Sequence, residues 1–297
     1  MSKFKVFKGS SVAIVTPFKN DKIDEKKLKK LTEFHVKNGT NGIVPCGTTG
    51  ESATLDYNEH DRVIEVCIEA AKARIPVIAG TGSNSTAEAI MLTKHAAKSG
   101  ADASLQVTPY YNRPTQKGIY LHFKAVADSV DIPIILYNIE SRTGRNIEPD
   151  TIAKLARDCK NIVGVKEASG DLEQMAQIKA LCPPDFQLLS GDDNLTLPLL
   201  SIGGIGVISV VANIVPGDVS AMVNAFLEGN VKKAEELHYK LFPLTKAMFI
   251  ETNPIPVKTA MGLLGLCQPD LRLPLSSMEE NNLAKLKKAL RDYGLLK

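Results

Sequence analysis

The sequence predicts a (β/α)₈ barrel followed by a helical extension, and three observations predict it. Short β-rich runs alternate with longer amphipathic stretches; the runs number eight; and after about residue 216 only helical patterns continue. Eight strands, each followed by a helix, is the number that closes a parallel barrel. The runs are mostly apolar on both faces, as strands are when helices cover the outside and side chains fill the inside. An open doubly wound sheet is the structural alternative. It would show a Gly-rich dinucleotide loop after its first strand, where this chain reads Thr16-Pro17-Phe18-Lys19.

The first strand is expected at 11–16 (SVAIVT). The second, 42–46 (GIVPC), leads to a helix at 59–73. The third, 76–80 (PVIAG), precedes a helix at 86–99, and the fourth, 103–108 (ASLQVT), one at 116–129. The fifth, 133–138 (PIILYN), is followed by a helix at 149–159, and the sixth, 162–167 (IVGVKE), by one at 171–181. The seventh is 187–190 (QLLS) and the eighth lies within 205–211. The helical stretches carry apolar residues at helical spacing, and several begin after Ser, Thr or Asp and end in Gly or Asn. Further helices are expected at 218–228, 231–250, 254–264 and 279–292. The barrel is thus placed at residues 1–228 and a C-terminal helical region at 229–297, with no low-complexity linker or internal repeat.

Composition narrows the function classes. The 297 residues carry a formal net charge of +3, too small to point to nucleic acid or a membrane surface as partner. Basic and acidic residues interleave on helices, as in Asp24-Glu25-Lys26-Lys27, which suits solvated helix faces. The five cysteines (Cys46, Cys67, Cys159, Cys182, Cys267) are odd in number and form no CxxC pair, so neither a disulfide framework nor a thiolate zinc site is suggested. The first ten residues lack the apolar core of a signal peptide, and no apolar run is long enough to cross a bilayer. A cytoplasmic protein is expected.

Catalytic groups in such barrels sit at the carboxyl ends of the strands and in the loops that follow. Here the second strand runs into Gly47-Thr48-Thr49-Gly50-Glu51-Ser52, the fifth ends in Tyr137-Asn138, and the sixth ends in Lys166-Glu167. Lys166 is the only lysine or arginine within the eight expected strands. Alternation puts Ile162, Gly164 and Lys166 on one face, Val163 and Val165 on the other. If the two valines meet helices, Lys166 points into the barrel mouth, with Gly164 leaving space below it. Burial disfavours the charged form of a lysine and frees a neutral amine, which a Schiff-base nucleophile requires. A buried ion pair, or a lysine snorkelling to water, is equally open from position alone.

Tyr137 ends the neighbouring strand, where a phenol can shuttle protons or simply plug the barrel top. Thr48 and Thr49 sit in a Gly-bracketed turn whose N–H groups and hydroxyls suit a carboxylate, or form a plain strand-to-helix turn. Arg142 is a candidate carboxylate clamp, although a surface arginine in a loop is common. The five histidines (His35, His60, His95, His122, His238) fall in helical segments without an HxH or HExxH pattern, so metal ligation is not expected. Asp192 and Asp193 after the seventh strand would repel a phosphate, which disfavours a phosphorylated substrate.

With these residues in place, the chain resembles the dihydrodipicolinate synthase / N-acetylneuraminate lyase family, over essentially its whole length from Gly9 to the helical tail. The resemblance rests on Gly47-Thr48-Thr49-Gly50-Glu51, Tyr137-Asn138 and Gly164-Val165-Lys166-Glu167 at these spacings. Segments 108–114 (TPYYNRP) and 141–144 (SRTG) bring it nearer the synthase branch. The resemblance implies an imine of pyruvate on Lys166, an enamine that attacks L-aspartate 4-semialdehyde, and no organic cofactor or metal. It also implies a proton relay of Thr48, Tyr137 and Tyr111, the last from a neighbouring subunit of a homotetramer built as a dimer of dimers. Thr49 and the backbone near Ile208 would contact pyruvate, and Arg142 the semialdehyde carboxylate.

The same likeness carries over an L-lysine inhibitory site at a subunit interface, formed by Ser52, Ala53, His60, Asn84, Glu88 and Tyr110. Tyr57 stands where some lysine-inhibited members have histidine, a departure at the ε-amino contact. The alternative is that these residues simply satisfy the dimer interface. The rivals are a sugar-acid aldolase of the same family, against which Tyr111 and Arg142 argue, and a non-catalytic barrel, against which Lys166, Tyr137, Thr48 and Thr49 argue.

Overall fold

The computed structural model describes residues 4–297. Its eight parallel strands are β1 (Gly9–Ala13), β2 (Gly42–Val44), β3 (Ile78–Gly80), β4 (Ala103–Val107), β5 (Ile134–Asn138), β6 (Ile162–Glu167), β7 (Gln187–Ser190) and β8 (Gly206–Ser209). The helices, in chain order, are α1 (Glu25–Lys37), α2 (Tyr57–Ala71), α3 (Thr86–Ser99), α4 (Gln116–Asp128), the one-turn α5 (Glu140–Thr143), α6 (Pro149–Asp158) and α7 (Leu172–Leu181). They continue with α8 (Thr196–Ser201), α9 (Pro216–Leu227), α10 (Val231–Ala247), α11 (Ile255–Leu263) and α12 (Glu280–Asp292).

Each strand pairs with its sequence neighbour, and β1 pairs in parallel with β8, Ser11 lying opposite Ile208. The ring closes between β2 and β3 through the Ile43–Val77 bridge, where Ile43 N–H donates to the Pro76 carbonyl at 2.9 Å. This is the (β/α)₈ barrel, with α10–α12 as its extension. Local chemistry sets the helix starts: Asp24, Ser85, Thr115 and Asp171 each accept a first-turn N–H, and Asp56 forms a capping box with Glu59.

The period of two decides what each strand buries. In β5, Ile134 and Leu136 face outward onto Ile119, Phe123 and Ile152 of the helices, whereas Ile135 and Tyr137 face inward with Val44, Ile78, Leu189 and Ile208. A further apolar cluster joins β1 and β2 to α1, α2 and the extension through Val12, Ile43, Leu28, Val63, Leu241, Leu286 and Leu290. The extension is therefore bonded to the barrel by a continuous core, and burying each such leucine contributes about 2 kcal/mol.

Two expectations need correction. Val163 does not face the helices; it packs inside the barrel with Leu189 and Ile208, while Ile162 and Val165 face out. The reason is a β-bulge: Ile134 pairs with Ile162 but Ile135 with Gly164, so one extra residue in β6 breaks the alternation. Gly164 does not leave empty space either, because a Cβ there would stand 2.5 Å from the Gln187 carbonyl oxygen. Lys166 is the only lysine or arginine in the eight barrel strands, and outside them Lys19 and Lys22 lie in a two-residue antiparallel ladder (Phe18–Lys19 with Lys22–Ile23) after β1. Asn20 and Asp21 turn it with φ of 51° and 60°, the left-handed pair such a tight turn needs.

Candidate active site

Strand register builds the centre of the site. Lys166 near the end of β6 lies beside Tyr137 of β5 and Leu189 of β7. Its side chain is 6% exposed, and Nζ stands 4.0 Å from the centroid of the Tyr137 ring. Among the described residues no carboxylate forms an ion pair with it, so the buried-ion-pair alternative is removed. Room for the lysine comes from Gly191, just after β7, where a Cβ would sit 3.0 Å from Lys166 Cε and 2.7 Å from Ala168 Cβ.

Glu167, the next residue, points the other way. It accepts hydrogen bonds from Asn138 Nδ2 (3.0 Å), Gln174 Nε2 (3.3 Å) and the Ser169 N–H (2.7 Å). Burial pushes its carboxyl above the usual range, and these neutral donors pull it back. Asn138 and Glu167 thus tie the ends of β5 and β6 together behind Tyr137 and Lys166. Asp193, after β7, accepts from the Val210 N–H (2.9 Å) and Val211 N–H (3.2 Å), which fixes the loop after β8.

Thr48, Thr49, Tyr137, Arg142 and Lys166 line one cavity of about 50 Å³. The turn after β2 is closed by Gly50 N–H to the Gly47 carbonyl and Glu51 N–H to the Thr48 carbonyl, both 3.1 Å. Ile208 is buried in the barrel interior one residue from the end of β8. Arg142 rides on α5 and donates to the Asn253 carbonyl at 3.0 Å.

Sequence reasoning missed Asn253. It lines the same cavity, is 6% exposed, and its Nδ2 donates to Thr49 Oγ1 at 3.0 Å. Because Thr49 accepts that bond, its own hydroxyl proton is free to be donated elsewhere. Asn253 Oδ1 is buried without a partner among the described residues. The available signal was the break between two expected helices at Thr252-Asn253-Pro254. Also missed was the pair of Lys258 on α11 with Glu51, both side chains fully buried.

A second cavity of about 420 Å³ adjoins the first and shares Thr48, Tyr137, Arg142 and Asn253 with it. Its outer part is lined by Ser52, Ala53, Tyr57, His60, Glu88 and Tyr110. Asn84 does not line it; its carbonyl accepts from Asn112 Nδ2 at 2.8 Å. Glu88 accepts from Ser83 Oγ at 2.5 Å and from the Tyr57 phenol, whose pKa that bond raises. His60 is held by the Gly80 carbonyl at 2.9 Å, and burial pushes its pKa down.

Tyr111 is not brought to Lys166 within one chain. It lines neither cavity, is 91% exposed, and has φ of 69°. All five histidines lie in helices, and among the described residues no cluster of three His, Cys, Asp or Glu forms a metal-ion site. No helix among them is long and apolar enough to cross a membrane.

A closed (β/α)₈ barrel with one unpaired buried lysine at its mouth, stacked on a phenol beside a hydroxyl-rich turn, has the constitution of a Schiff-base (class I) aldolase. The comparisons with known proteins agree. Residues 6–293 match the model of the dihydrodipicolinate synthetase family. The chain is 61% identical over 292 residues to the 4-hydroxy-tetrahydrodipicolinate synthase of Endomicrobium trichonymphae, covering 98% of this chain and 100% of that one. It superposes on the crystal structure of dihydrodipicolinate synthase from Aquifex aeolicus with a TM-score of 0.96 at 52% identity, covering 97% and 99% of the two chains. A structure from Cyanidioschyzon merolae with lysine bound gives 0.94 at 45% identity, covering 98% and 99%.

The chain belongs to the dihydrodipicolinate synthetase family. Its reaction is the Schiff-base aldol condensation of pyruvate with L-aspartate 4-semialdehyde to 4-hydroxy-tetrahydrodipicolinate, a lyase step in diaminopimelate and lysine biosynthesis.

Proposed function

We propose that Lys166 is the amine that forms the imine, and the observation that carries this is its burial over the Tyr137 ring, without a carboxylate partner among the described residues. Lys166 Nζ adds to C2 of pyruvate; the carbinolamine loses water to give the imine, and loss of a C3 proton gives the enamine. C3 then attacks the aldehyde carbon of the semialdehyde, whose oxygen becomes the 4-hydroxyl. The semialdehyde amino group adds to C2, closes the ring and releases Lys166. No cofactor enters these steps.

Tyr137 passes the protons that the carbinolamine and imine steps exchange, with Thr48 and with Tyr111 supplied by a neighbouring subunit. The exposure of Tyr111 supports that assignment, since it leaves the phenol accessible to a second chain. Thr49 and the backbone near Ile208 hold the pyruvate carboxylate, and Arg142 the semialdehyde carboxylate. A homotetramer, as a dimer of dimers, follows from the same reading. Borohydride reduction in the presence of pyruvate should add one reduced pyruvate to the mass of the chain, on the peptide bearing Lys166. Lys166→Ala should lose both the adduct and the activity; an adduct that persists in this variant would refute the assignment.

L-lysine is proposed as an inhibitor bound at the outer part of the larger cavity by Ser52, Ala53, His60, Glu88 and Tyr110, while Asn84, which does not line that cavity, belongs to the site by the family resemblance alone. Glu88 suits its ammonium and Tyr110 its carboxylate, and Tyr57 already bonds to Glu88. Millimolar L-lysine should lower initial rates, with Glu88→Ala relieving the effect; rates unchanged by lysine would remove this part of the proposal.

A further inference from the structure

The buried pair of Glu51 and Lys258 has no part in the chemistry just described, yet it joins the turn after β2 to the C-terminal extension. Lys258 Nζ donates to Glu51 Oε1, and both side chains are 0% exposed. Glu51 Oε2 accepts the Arg272 N–H at 3.1 Å, and Lys258 Nζ also lies 4.0 Å from the centroid of the Phe18 ring. The carboxylate is thus satisfied on both oxygens by groups distant in sequence. Burial alone pushes the Lys258 ammonium down, against the opposing effect of Glu51.

This pair differs from ordinary stabilisation in two respects. A buried ion pair gains little over apolar side chains of the same volume, because desolvating two charges offsets their attraction. What it does supply is one permitted position for the segment that carries it. Moreover, Glu51 has φ of 55°, a left-handed conformation that L-residues rarely adopt and that persists only where the surroundings hold it. Its N–H donates to the Thr48 carbonyl at 3.1 Å, and its own carbonyl accepts the Thr54 N–H at 3.1 Å. The orientation of Glu51 therefore fixes the peptide that follows Thr48 on one side and the Ser52–Thr54 turn on the other. Asn253, from the segment leading into the Lys258 helix, holds Thr49 Oγ1 of the same turn.

We propose that Glu51 and Lys258 are positioning residues for the first substrate: the pair locks the turn so that Thr49 presents its hydroxyl to the pyruvate carboxylate. The inference rests on the assignment of Thr49 to pyruvate given above. It predicts an effect on pyruvate binding that is separable from stability. Glu51→Gln alone leaves an unpaired buried ammonium and is expected to destabilise the fold, so the test uses the neutral pair Glu51→Gln/Lys258→Met, with Glu51→Asp and Thr49→Val beside it.

The expected result for the double variant is a melting temperature close to that of the parent, a KM for pyruvate raised about tenfold, and a kcat changed by less than about threefold. The pyruvate concentration that half-saturates borohydride trapping on Lys166 should rise with KM. Glu51→Asp keeps the charge and withdraws it by one methylene, so it should raise the same KM. Recovery of both melting temperature and KM in the double variant, or an unchanged KM in Glu51→Asp, would overturn the proposal. Thr49→Val is the control: if it leaves KM for pyruvate unchanged, the assignment of Thr49 fails and the proposal falls with it, whereas a raised KM in Thr49→Val alone rejects only the positioning role.

Discussion

Lys166 and Tyr137 are lateral partners across β5 and β6, and Lys166 Nζ lies over the ring face rather than against a carboxylate among the described residues. The ring and the phenol oxygen therefore do separate things. Tyr137→Phe keeps the ring beneath Lys166 but removes the O–H that would carry protons. We expect kcat to fall about 100-fold, in line with the loss of one general acid–base group, with the melting temperature little changed. Steady-state rates combined with the rate of borohydride trapping would check this, and a variant with parental kcat would exclude the phenol from the relay. At this scale the sequence was informative where residue type and strand period coincide, as for Lys166. It was uninformative where the decisive atom comes from far along the chain. Gly191, which makes room for Lys166, and Asn253, which holds Thr49, carry no local signal of those contacts.

Helix α1 shows how an element can carry a pH dependence. His35 is fully buried on it, with Nδ1 3.2 Å from Thr40 Oγ1 and Nε2 unpartnered among the described residues. Burial pushes its pKa down to about 3, and that of His122 on α4 to about 4. Both rings are neutral in the folded state at neutral pH, while the unfolded chain protonates them near the ordinary histidine value of about 6.5. Below that pH the unfolded state binds more protons, so stability falls as pH drops through the window between about 6.5 and about 3 for His35. Relative to the parent, His35→Leu should lose about one proton from the slope of unfolding free energy against pH, about 1.4 kcal/mol per pH unit. Denaturant unfolding near pH 5 and pH 7 measures it, and parallel slopes in the two proteins would contradict it. The elements were legible in the sequence because caps and periods are local, as with Asp56 and Glu59 at α2. The bulge at Val163 was not, since it is a register shift of β6 against β5 that no pattern within either strand displays.

For the whole molecule, the proposed contribution of Tyr111 to a neighbouring subunit makes a prediction that no single chain can. Lys166→Ala and Tyr111→Phe should each be nearly inactive. Subunits mixed after dissociation and reassembly should regain activity, because one site of each hybrid pair combines an intact Lys166 with an intact Tyr111. Random pairing in a two-fold dimer gives about a quarter of parental activity. A mixture no more active than its components would place Tyr111 outside the site. The sequence by itself determined the barrel, the order of its strands and the face on which chemistry sits, because β/α alternation and apolar periodicity are written residue by residue. It also supplied the reacting types, a lysine in a strand and hydroxyls in a glycine-bracketed turn. Only the tertiary structure decided that Lys166 has no counter-ion among the described residues, that Glu51 and Lys258 meet in the interior, and that one turn walls two adjoining cavities. Those facts depend on distances between residues up to 207 positions apart, which no local pattern encodes and which exist only once the core has brought the extension onto the barrel.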